Sequence, residues 1–168
     1  VESANLGECH LPLVDLTAQL SVDGTNIAKN LYGVRGWTAH HNTDIWRQAG
    51  PVGGSARWSI FQVGGAWLCQ HLWEHYAFSG DKKFLQQRAY PAMKDAALFV
   101  LDFLTEAPPG TACPGALVTS PSYSPENTWK WTNGVSGRFT YAATLDLELI
   151  ADLFDRCIAV SQILGVDA

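Results

Sequence analysis

The sequence predicts an all-α fold. Apolar residues recur at three-, four- and seven-residue steps over most of its length, helix start and stop residues bracket those stretches, and only residues 116–119 read as a strand. With 168 residues, 47% hydrophobic and 16% charged, the chain is long enough for one domain with a substantial core and too apolar for disorder.

The elements follow in order. Leu13, Leu16, Leu20, Ile27 and Leu31 form the first stripe, Pro12 suits its first turn, and Gly33 stands where a C-terminal stop belongs. Gly24 interrupts this stripe, since an interior glycine costs a helix about 1 kcal/mol relative to alanine. Residues 35–65 are rich in Gly, His, Asn and Trp and hold no sustained period. They predict one long loop, and loops of that length in compact domains are usually functional. A helix over about 66–78 has Leu68, Leu72, Trp73 and Tyr76 on its apolar side. Ser79-Gly80-Asp81 reads as a stop followed by a new N-cap, opening a short helix over 82–88. Pro91 starts the next, buried through Met93, Ala97, Val100, Leu101 and Leu104 and ended by Pro108-Pro109-Gly110. The last helix, about 141–164, carries Leu145, Leu149, Leu153, Ile158 and Ile163 and is capped by Gly165. Five helices are too few to close a large toroid, so they are expected to be consecutive members of a longer array. The chain opens on Val1 rather than Met, which fits an excised piece of a longer protein.

A net charge of −5 argues against a nucleic-acid backbone or an anionic membrane as partner. The apolar runs fall short of the ~18 residues that would span a bilayer. Seven Trp and five Tyr exceed what such a core needs and point to stacking on flat ligands, carbohydrate first among them. Cys9, Cys69, Cys113 and Cys157 show no C-x-x-C spacing, so neither a zinc ribbon nor a thioredoxin motif is expected. All three disulfide pairings stay open, and Cys69 reads equally as a buried thiol.

Within residues 117–127, Glu126 sits on a loop stiffened by Pro121 and Pro125, with Trp129 and Trp131 just behind it. Indoles that excluded water would favour the protonated carboxyl that a general acid needs near neutral pH; a solvated loop Glu is the plainer alternative. His40-His41-Asn42-Thr43-Asp44-Ile45-Trp46 packs donors, acceptors and a stacking plane into seven loop residues, the chemistry of polyol recognition. A loop satisfying its own backbone is the competing reading. His71-Leu72-Trp73-Glu74-His75 matches the zinc-peptidase pattern H-x-x-E-H, but without an evident third ligand, and Trp73 and Tyr76 make it a packing face with structural histidines. No metal or other cofactor is expected. Ser120, Ser122 and Ser124 lack a G-x-S-x-G context, and the Gly53-Gly54 and Gly64-Gly65 pairs around Trp58 lack a following Lys-Ser/Thr, so neither a serine hydrolase nor a phosphate loop is indicated.

Taken together, Asn5-Leu6-Gly7-Glu8-Cys9-His10, Gly36-Trp37 with residues 40–46, Gly64-Gly65-Ala66-Trp67-Leu68, residues 71–76, Gly80-Asp81, Tyr90-Pro91 and residues 119–127 resemble glycoside hydrolase family 95, the α-L-fucosidases. The match runs essentially from end to end. It implies a part of an (α/α)6 barrel, incomplete in this chain, and hydrolysis of terminal α-1,2-linked L-fucose from glycans with inversion and without metal. It implies that Glu126 is the general acid. The water-activating Asn pair and its orienting Asp would lie outside these residues, so the piece alone is expected to be inactive and to need the remainder of the barrel. By analogy and chemistry, His41, Asp44 and Trp58 are the expected sugar contacts. Phe61-Gln62-Val63 stands where the family pattern has Trp-Pro before Gly-Gly-Ala-Trp, a departure that bears on the fit near Trp58. An extracellular setting is inferred from the same resemblance. A non-catalytic carbohydrate-binding helical domain is the alternative function.

Overall fold

The computed structural model describes residues 1–167, the side chain of Trp58 excepted. It is mostly helical. Two 3-10 turns, Glu2–Ala4 and Gly7–His10, lead into α1, Leu11–Ile27, with Pro12 in its first turn. A π-helical turn, Ala28–Tyr32, continues it until Gly33 stops it in the left-handed conformation. After a long irregular stretch holding one short helical turn, α2 (Ala56–Ser59), comes α3, Gly64–Ser79. Gly80 ends α3 at φ 66°, and the Asp81 carboxylate accepts from the backbone N–H of Lys83 and Phe84. This is the expected stop and new N-cap. The helix that Asp81 opens is α4, Lys82–Phe84; it runs through a π turn, Leu85–Ala89, into α5, Tyr90–Phe103. Pro91 needs no helical N–H at the junction, so the two expected helices are continuous.

Residues 105–140 carry three two-residue antiparallel ladders. In chain order the strands are β1 Thr105–Glu106, β2 Leu117–Val118, β3 Ser122–Tyr123, β4 Trp129–Lys130, β5 Ser136–Gly137 and β6 Phe139–Thr140. They pair β1 with β2, β3 with β6 and β4 with β5. The single expected strand is β2. The helix α6, Thr144–Leu164, closes the chain and is capped by Gly165.

The core forms where α3 meets α1, α5 and α6, with Val14, Leu72, Met93, Phe99 and Leu153 among its buried side chains. Three residues of the expected apolar stripes are corrected, Leu31 of the first being 54% exposed. Leu101 is 54% exposed and Ile158 is 56% exposed. In α5 the buried positions are Met93, Ala96, Ala97, Phe99 and Val100, and one residue beyond Val100 the side chain is turned about 100° further round. In α6 the buried face runs from Leu153 to Val160, which leaves Ile158 on the other side.

Gly24 does not break α1. It is buried there because the segment following Gly36 passes through the interior. A β-carbon at Gly24 would strike the Thr38 carbonyl oxygen and the Trp37 ring, and one at Gly64 would strike the Ala39 carbonyl oxygen. Trp37 Nε1–H donates to the Ala92 carbonyl at 2.7 Å, and Thr38 Oγ1 donates to the Gln62 carbonyl at 2.5 Å. The backbone N–H groups of Trp37 and Thr38 donate to the Asp95 and Gly24 carbonyls. A segment this buried must satisfy its own polar groups, and these bonds do so. Arg35, bidentate to Asp102 at 2.8 and 2.7 Å, pins the entry of the segment to the end of α5.

Gly24→Ala is therefore expected to lower stability although it raises helix propensity. The overpacking cost of about 1–3 kcal/mol exceeds the propensity gain of about 1 kcal/mol, because the obstruction is backbone. Thermal unfolding of the full-length protein checks the sign: a raised Tm would show that the segment yields.

Candidate functional site

A cavity of about 530 Å³ opens where α1, α3 and the loop after Ala39 converge. Leu16 and Leu20 of α1, with Phe61, Trp67 and Leu68, supply its apolar wall; His41, Asn42, Thr43 and His71 supply polar groups. Pro125, next to Glu126, lines it as well. An apolar body with a few convergent polar groups, at this volume, suits a small ligand.

The two loop imidazoles divide their work. His40 is buried: its Nδ1–H donates to the Ala49 carbonyl at 3.0 Å and its Nε2 accepts from the Tyr32 hydroxyl at 2.6 Å. Burial holds His40 below the usual imidazole range, the bond to Ala49 opposing, and pushes the Tyr32 phenol up to about 12. His40 thus serves the fold, while His41 is exposed, lines the cavity and hydrogen-bonds Asn42. Asp44 is also exposed, but its Oδ1 accepts from the backbone N–H of Trp46 at 3.0 Å and of Gln48 at 3.3 Å, bracing the loop. This is the plainer of the two sequence readings at that residue. The side chain of Trp58 lies outside the described residues.

Glu126 is exposed at the tip of a turn. Asn127 N–H donates to the Ser124 carbonyl at 2.7 Å, and Asn127 Nδ2 donates to Ser124 Oγ at 3.0 Å, closing the turn around Pro125 and Glu126. The expected indole shield is corrected. Trp129 donates from Nε1 to the Phe139 carbonyl and covers Gly137 within its own hairpin, and Trp131 is 66% exposed. Both rings line a separate groove of about 1010 Å³ with Ser124 and Asn127. The hairpin β4–β5 claims the indoles because Gly137 leaves room for one beneath it. Glu126 stands between cavity and groove, with Pro125 facing the first and its other neighbours the second.

The loop carrying Glu126 has a buried anchor that the sequence reading missed. Asp146, in the first turn of α6, is 1% exposed. Its Oδ2 accepts from Ser122 Oγ at 2.7 Å and from Gln62 Nε2 at 3.4 Å. Gln62 Nε2 also donates to the Pro121 carbonyl at 2.6 Å, and Ser122 Oγ accepts from the Ala143 N–H at 2.9 Å. Burial pushes the Asp146 carboxyl up, and the hydrogen bond from Ser122 pulls it back. Gln62 thus ties the loop carrying Glu126 to the segment just before α3. An Asp in the first turn of a helix was the available sequence signal, though nothing local links it to Ser122.

The histidines of the H-x-x-E-H pattern point into a second cluster. Glu2 Oε1 accepts from His10 Nδ1 and from His75 Nδ1, both at 2.7 Å, and His10 Nε2 lies 3.2 Å from His71 Nδ1. Trp73 and Tyr76 pack against the core as expected. Burial pushes the Glu2 carboxyl up, but the hydrogen bonds from His10 and His75, and their charge, outweigh it and hold the carboxyl below the usual range. The four cysteines are unpaired thiols; Cys69 is fully enclosed and burial drives its thiol well up. No helix among the described residues is long and apolar enough to cross a membrane.

Comparison with known proteins adds a family to this geometry. The model of the glycosyl hydrolase family 95 catalytic domain matches residues 1–168. The chain is 38% identical over 161 residues to "Alpha-L-fucosidase 2" of Arabidopsis thaliana, covering 96% of this chain and 18% of that protein. It is 30% identical over 158 residues to "Probable alpha-fucosidase A" of Aspergillus niger, covering 93% of this chain and 19% of that protein. The chain therefore spans under a fifth of the length of these relatives.

Two outcomes test the anchors in the full-length protein. Asp146→Ala strands the Ser122 and Gln62 donors in a buried site, at a cost of about 1–3 kcal/mol; limited proteolysis should then cut faster near residues 120–128, and an unchanged rate would show the loop held by other means. The Glu2 carboxyl has a lower pKa folded than its unfolded value of about 4.3, so its stabilisation is complete above that pH and disappears as pH falls through the folded value. Urea unfolding should show Glu2→Gln less stable than wild type at pH 6, with the deficit closing in acid.

Proposed function

The chain belongs to the glycosyl hydrolase family 95 catalytic domains, and from that premise we propose that the full-length protein removes terminal α-1,2-linked L-fucose from glycans by an inverting acid/base reaction. Glu126 is the general acid. Its protonated carboxyl gives a proton to the glycosidic oxygen as the bond from that oxygen to the anomeric carbon breaks. Water adds to the opposite face of the ring and gives up its proton to a base outside these residues. The observation that supports this reading is the braced turn Ser124–Asn127, whose Pro125, the neighbour of Glu126, lines the cavity together with His41, Asn42 and Thr43. The names of the two relatives support the sugar.

His41 and Trp58 are proposed sugar contacts; Asp44 is proposed as a third, its carboxylate also holding the loop in shape. Residues 1–168 form a part of the catalytic domain, and the helices are consecutive members of an (α/α)6 barrel. The packing of α3 against α1, α5 and α6 and the exposed faces around Phe78, Leu101 and Ile158 support that arrangement, since further helices would cover them. Without those helices and the water-activating groups, the chain by itself does not turn over substrate. An extracellular setting fits a fucosylated glycan substrate.

Glu126→Gln in the full-length protein should lower kcat on an α-1,2-fucosylated oligosaccharide by about 100-fold or more, with KM little changed. The loss should shrink on fucosyl fluoride, whose leaving group needs little protonation. A loss below about tenfold on the oligosaccharide would reject the acid role. Full glycan binding with no turnover by the wild type would favour a non-catalytic binding domain.

A further inference from the structure

The Glu2–His10–His71 chain connects a buried carboxylate to the wall of the cavity. Glu2 accepts, so His10 must carry its proton on Nδ1. His75 donates from Nδ1 to the same Glu2 oxygen. One carboxylate charge balances at most one imidazolium, and with the His10 ring centroid 5.3 Å from that of His71 and 6.0 Å from that of His75, a second would meet strong repulsion. His75 shares the Glu2 oxygen from the more solvent-accessible side, so both bonds to Glu2 are made with a neutral His10. A neutral His10 with its proton on Nδ1 has a lone pair on Nε2, and the group 3.2 Å from that lone pair is His71 Nδ1. His71 must therefore donate from Nδ1. Burial, then the neighbouring His10, hold His71 below the usual imidazole range, with Glu74 opposing.

We propose that His71 is a substrate-positioning residue: the Glu2–His10 pair fixes its proton on Nδ1, and the bare Nε2 accepts a hydrogen bond from a sugar hydroxyl in the cavity. His71 lines that cavity, and with Nδ1 turned to His10, Nε2 is the polar atom left for a ligand. The binding half of this inference rests on the fucosidase reading; the tautomer half does not. A metal is the competing use of these groups, since Glu2, His10 and His75, or His10, His71 and Glu74, bring ligand atoms within 4.8 Å of one another. The 2.7 Å contacts count against the set that contains Glu2, and zinc binding through His71 is an outcome of the test below. Ligands on a tetrahedral zinc with bonds of about 2.0–2.1 Å stand about 3.3 Å apart, whereas 2.7 Å is a charge-assisted hydrogen bond.

The test uses the full-length protein with 15N-labelled histidine at pH 7, the His71 signals being assigned by their loss in His71→Leu. Nδ1 should be protonated and Nε2 unprotonated, the minor form of free imidazole, and His10→Phe should release His71 from it. Kinetically, His71→Leu should raise KM about 5- to 100-fold with a smaller change in kcat, and His71→Gln, whose amide oxygen accepts, should recover much of the loss. Across deoxyfucoside substrates, one missing hydroxyl should erase the effect of His71→Leu. An Nε2-protonated or doubly protonated His71, or stoichiometric zinc bound through it, overturns the tautomer assignment. Equal losses on every deoxy substrate overturn the contact. A wild type with the expected tautomer but no fucoside turnover overturns the binding half together with the fucosidase reading, a result distinct from turnover with the wrong tautomer.

Discussion

The passage of residues 37–40 through the interior is the constraint on which the rest of the structure depends. Main chain there lies against main chain of α1 and α3, at distances that tolerate no β-carbon at Gly24 or Gly64. A buried segment of irregular backbone is costly unless every polar group finds a partner. The carbonyls of Gly24, Asp95, Gln62 and Ala49 serve as acceptors for it. Once this segment is locked, the chain emerges at the cavity with His40 buried and His41 exposed, both in its lining. The cavity wall on α3 is set by the same contact, because Gly64 begins the helix that carries Trp67, Leu68 and His71.

The acid-bearing loop is held by a different device. Its ladders are two residues long, although Tyr123 is buried against Phe139. Its position is set by Asp146 and Gln62, which bind Ser122 and the Pro121 carbonyl from two separate parts of the chain. A buried polar network of this kind stabilises little in net terms but is specific, since any misplacement leaves a donor without an acceptor. Glu126 itself is exposed, and Trp129 and Trp131 do not cover it.

The five histidines show how one residue type is divided among tasks. His40 holds a loop, His10 and His75 share a carboxylate, His71 joins that carboxylate to the cavity, and His41 stands exposed at its rim. The H-x-x-E-H pattern therefore does more than pack, since both of its histidines join the cluster around Glu2 and His10. Its first histidine reaches the cavity, because the partner that orients it, His10, arrives from the other end of the sequence.

Local signals were legible in the sequence alone. Gly33, Gly80 and Gly165 end helices and Asp81 starts one, because each acts through backbone groups within a single turn. The predominance of helix and the family followed from periodicity and from short motifs in order. The register of burial was less legible. Leu101 and Ile158 fit an apolar stripe by spacing, but which arc of a helix is covered depends on the neighbours, and those come from distant segments. Gly24 looked like a break and proved to be a contact, since its role is set by Thr38, a residue beyond the end of its own helix. The pairing of Asp146 with Ser122, of His71 with His10, and of Trp129 with its own hairpin was decided by tertiary structure, because hydrogen bonding and exclusion of water depend on distances in space that residue spacing does not encode.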